Sequence, residues 1–83
     1  MNNDQLLDRL DLLKKVQGWS KMNDTLTPGQ RICLSQERAA IMGCLDQLNE
    51  NPDAQVQPRY RMPDHLDQKV RHLYGVMVQQ GHR

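Results

Sequence analysis

"TPGQRICLSQERAAIMGCLDQLNENP", from Thr27 to Pro52, carries a helix signal at each end, and its reading decides the fold. Thr27 is a good N-cap, Pro28 suits a first helical turn that needs no N–H donor, and Gln30 can close a capping box with Thr27. At the other end Pro52 disfavours helical backbone in the residue before it. Between these marks Leu34, Ile41, Leu45 and Leu48 fall at offsets of 0, 7, 11 and 14 and share one helical face, flanked by Cys33, Ala40 and Cys44. Arg38 interrupts the row, and Ser35 marks a place where the helix could bend. The spacing predicts a single helix over 28–50 and commits the chain to helical architecture.

Working outward, "NNDQLLDRLDLLKKVQGW" repeats the pattern through Leu6, Leu10 and Leu13, with Leu7 and Val16 widening the stripe. A helix over about 4–17 is expected, with early acids, Lys14 and Lys15 late, and Gly18 as its stop. Trp19 and the off-stripe Leu12 are then left to pack the following loop or to meet a partner. That loop should turn Met22 and Leu26 inward. On the other side, residues 52–63 hold three of the four prolines, so an extended segment over 52–62 is expected, returning along the second helix. The last helix, over about 63–80, carries Leu66, Val70, Leu73 and Met77 on one face and should pack parallel or steeply crossed to the second. The expected architecture is all-α: one small three-helix domain spanning 1–83, with a Pro-rich extended segment before the last helix.

Composition limits what such a domain can do. Of 83 residues 37% are hydrophobic, with no Phe and one Trp, so aliphatic side chains must supply a thin core. Scaffolds this small usually need disulfides, a metal or a partner. Cys33 and Cys44 on one helix would stand about 16 Å apart, beyond the reach of a disulfide. His65 and His72 would be about 10 Å apart on one helix face, and no CxxC or HExxH spacing is present, so neither metal nor cofactor is expected. The cysteines read as core packing, and the ridge Asp4, Asp8, Asp11 as a solvated acidic face. "TPGQR" lacks the glycine spacing and lysine of a phosphate loop. An enzyme is therefore not expected. The opening residues lack the basic-then-apolar order of a secretory leader, which together with the free thiols suggests a reducing, cytoplasmic setting.

Charge distribution points to a surface. Residues 1–54 hold six Lys/Arg against eight acids, whereas 55–83 hold five against two, plus all three histidines. "QPRYRMPDHL", Gln57 to Leu66, sets Arg59, Tyr60 and Arg61 between prolines, and His65, Lys69 and His72 extend the basic character along the last helix. Arg and Tyr are enriched at binding hot spots, and a proline-stiffened strip loses little entropy on docking. The expectation is a non-enzymatic protein-binding module, a regulator, inhibitor or adaptor acting on a larger protein, or one completed by self-association. Nucleic-acid binding through the basic third is the alternative. It is weakened by the near-neutral overall charge and by a connection far longer than the turn of a helix-turn-helix unit. By composition the chain sits among short helical proteins of phage and mobile elements that act on host machinery, and among small assembly or secretion chaperones.

Overall fold

The computed structural model describes residues 2–81. Met1, His82 and Arg83 lie outside the described residues, and with them one of the three histidines and one arginine of the basic end. The chain forms three helices and, among the described residues, no strand: α1 (Asn3–Asn23), α2 (Pro28–Glu50) and α3 (Asp64–Gln79). None is long and apolar enough to cross a membrane.

α1 begins with a capping box in which the Asn2 side chain accepts from the Gln5 N–H and the Gln5 side chain accepts from the Asn2 N–H. It does not stop at Gly18. Trp19 and Ser20 continue the buried stripe of Leu6, Leu10, Leu13 and Val16, and that burial outweighs one glycine's cost within a helix. The end is made further on, where Asp24 adopts left-handed backbone at φ 52° and donates its N–H to the Ser20 carbonyl. Asn23 Nδ2 donates to the Trp19 carbonyl at 2.8 Å, and the Ser20 and Thr25 hydroxyls meet at 2.6 Å. The longer helix places Leu26 inward as expected, but it points Met22 to solvent at 85% exposure.

α2 has the expected bounds, with the Thr27–Gln30 capping box formed in both directions. Its buried row is Leu34, Glu37, Ile41 and Cys44, with Leu45 and Leu48 half-buried at the edge. The residue that interrupts the apolar row is thus Glu37 and not Arg38, which leans toward α1 and donates to Gln17 Oε1 at 2.6 Å.

The segment between α2 and α3 is part of the core. Val56 and Met62 are each 5% exposed and join the cluster built by the three helices. With this segment filling the flank of α2, α3 packs mainly on α1 and touches α2 only sparsely. Asp67 meets Arg9, and Tyr74 lies beside Asp11 and Leu12, so α3 runs in the direction of α1. The expected packing of the last helix on the second is replaced by packing on the first.

Candidate interaction surface

The three helices and the connecting segment meet at one ionic cluster. Glu37 is 1% exposed and would be untenable as an isolated charge. Arg9 Nε donates to Glu37 Oε2 at 2.6 Å, and its Nη2 donates to Oε1 at 3.3 Å. The backbone N–H of Met62 donates to the same Oε1 at 2.9 Å. Arg9 Nη1 lies 2.6 Å from Asp67 Oδ1 on α3, off-axis for a hydrogen bond but in ion-pair contact. Arg71 Nε then donates to Asp67 Oδ2 at 3.0 Å. Burial works against the charge on Arg9, but the hydrogen bonds to Glu37 and the ionic contact with Asp67 outweigh it and raise its pKa. For Asp67, burial alone would push the carboxyl up; the ionic contact with Arg9 and then the bond from Arg71 prevail and hold it below the usual carboxylate range.

This cluster fixes the backbone of the Arg-Tyr-Arg strip. Met62, at its end, is held by the buried core and by Glu37. Tyr60 is half-buried on the α2 side of the strip; the neighbouring Cys33 side chain first, then partial burial, pushes its phenol up. Arg59 and Arg61, on either side, are exposed and form no ion pair among the described residues. The strip alternates, presenting its arginines and turning Tyr60 and Met62 toward the body of the protein.

On α3, His65 and His72 are exposed, and Lys69 is half-buried with its Nζ donating to Gln30 Oε1 at 3.0 Å. Leu66, Val70, Leu73 and Met77 face the core, so His65, Lys69 and His72 line the flank away from the Asp67 and Tyr74 side, where α1 lies. Four of the six expected contact residues are thus exposed, while Tyr60 and Lys69 are partly committed within the molecule. Among the described residues no group of three or more His, Cys, Asp or Glu side chains gathers to hold a metal ion, and both cysteines are free.

The sequence reading missed Arg9, Glu37 and Asp67 as a unit. The signal was there for Glu37, a charge three residues after Leu34 and four before Ile41 on a core stripe. Nothing in the spacing of Arg9 or Asp67 names them as its partners. Compared with known proteins, the chain matches no family model, no curated protein and no solved structure.

Proposed function

We propose that the protein is a non-enzymatic protein-binding module whose contact surface is the basic strip Arg59–Arg61 continued by His65 and His72. The observation that carries this reading is the anchoring of the strip. Buried Val56 and Met62 and the Glu37 acceptor hold the backbone, so Arg59 and Arg61, without an ion pair among the described residues, are presented from an anchored strip. Binding through them costs little ordering entropy. An acidic patch on a larger protein is the complementary target, because a guanidinium group can bind a carboxylate through two parallel hydrogen bonds. Regulation, inhibition or adaptor function would follow from occupying such a patch.

The test is site-specific photo-crosslinking in cells of the native source. A photoreactive residue replacing exposed Gln57, beside the arginines, should give one discrete, nuclease-resistant protein adduct, absent when the same residue replaces exposed Gln47. Charge reversal at Arg59 should reduce that adduct at least about tenfold. A nuclease-sensitive adduct would instead assign the strip to nucleic acid, and no adduct would reduce it to a solvated connection.

A further inference from the structure

α1 and α2 form an antiparallel hairpin across a four-residue turn, and their charges are ordered unusually. α1 places Asp4 and Asp8 early and Lys14, Lys15 and Lys21 late. α2 places Arg31 and Arg38 in its first half, Asp46 and Glu50 in its second. An antiparallel pair could have set opposite charges side by side; apart from the buried Arg9–Glu37 pair, like charges gather at each end instead. In α2 the order also opposes the helix dipole, which favours acids early and bases late. Asp46 and Glu50 form no ion pair among the described residues.

The outer face of the same hairpin carries a mixed row, three apolar residues and two polar ones, at coiled-coil spacing. Ile32, Ser35, Ala39, Met42 and Asp46 follow steps of three and four residues, and all are exposed, Ile32 at 58% and Met42 at 49%. Beside them, Leu10, Lys14, Ser35, Arg38, Ala39 and Met42 line a groove of about 350 Å³. The groove is furnished for a carboxylate. Ser35 Oγ accepts from Gln17 Nε2 at 2.9 Å, which leaves its own O–H free to donate. The Arg38 guanidinium is steadied by Gln17 Oε1 through Nη1 alone, and the Lys14 ammonium is unpaired among the described residues.

From the charge order and this groove we infer that the α1–α2 face binds a second copy of the chain, α2 lying antiparallel on α2 about a two-fold axis. In an antiparallel seam alternate layers face each other, so Ala39 of each copy packs on Met42 of the other. Asp46 of one copy then lands opposite Ser35 of the other, one turn from both Arg31 and Arg38 and within reach of Lys14. Acidic end meets basic end twice, and the opposed dipoles align favourably. The inference uses none of the basic-strip residues and stands or falls apart from them.

Sedimentation velocity from about 5 to 500 µM, the range in which a micromolar Kd is read, should show a concentration-dependent shift from 9.7 kDa to twice that mass. Asp46→Lys, exposed and unpaired, should keep its helical circular dichroism and weaken the dimer at least about tenfold. Lys14→Glu should weaken it too, and Lys14→Glu combined with Asp46→Lys should recover most of the loss. A wild-type chain monomeric across the range would overturn the inference. So would a dimer indifferent to Asp46→Lys, or a double variant no better than the singles.

Discussion

Glu37 is the residue on which the packing turns. A carboxylate at 1% exposure is tolerable because Arg9 and the Met62 N–H supply its hydrogen bonds, and both would be stranded by its removal. Breaking a buried ion pair from one side typically costs about 3–5 kcal/mol, whereas replacing both members with apolar groups of similar size is often neutral. Glu37→Ala should therefore lose about 3–5 kcal/mol in urea unfolding, while Glu37→Met with Arg9→Met should lose markedly less. Asp67 yields a pH prediction. Its folded pKa lies below the ordinary 3.8, so its stabilising effect is fully present above that value and disappears as pH falls through the lowered one. The stability gap between wild type and Asp67→Asn should hold from pH 7 down to about 5 and narrow progressively as pH falls further. A gap that does not narrow as the solution is acidified would show that the amide disturbs packing rather than charge. A charge on an apolar stripe is visible in one sequence, but the pairing of residues 9, 37 and 67 depends on how three helices meet, and helical spacing carries no information about that.

At the scale of elements, the sequence was most informative where local chemistry decides. α2 is bounded by its capping box and by Pro52, both short-range signals, and its expected limits coincide with the observed ones. α1 shows the opposite case. Gly18 resembles a stop in isolation, yet the buried surface of Trp19 lies beyond it, and tertiary burial overrides a local preference. The actual end uses Asp24, a residue that tolerates left-handed backbone better than most. The two readings make opposite predictions for one substitution. Were Gly18 a left-handed stop, alanine would destabilise the protein; inside a helix, with nothing within 4 Å of an added Cβ, alanine is favoured. Gly18→Ala should raise stability by about 0.5–1 kcal/mol, visible as a higher midpoint in thermal unfolding. A lower midpoint would restore the shorter helix.

For the whole molecule, the decisive feature is that the proline-rich connection belongs to the interior. The prolines announced extended backbone, and the hydrophobic periodicity of the helices announced eleven of the core residues. All eleven lie in or against the observed core, Leu45 and Leu48 at its edge. A non-helical segment has no helical period to betray its inward residues, so Val56 and Met62 were not legible as core, and neither was the displacement of α3 onto α1 that follows from them. The basic strip was legible as composition; what holds it was not. Separating support from surface gives the last prediction. Met62→Ala removes a side chain that is 5% exposed, and such truncations cost about 2–5 kcal/mol. Arg59→Ala with Arg61→Ala removes exposed, unpaired charges and should shift stability by no more than about 0.5 kcal/mol. Chemical denaturation should therefore rank Met62→Ala far below the double arginine variant, which should stay as stable as wild type while losing the Arg61-dependent contact. Equal losses from both would mean that the arginines hold the connection down, and the strip would then be a structural brace with no free surface to offer.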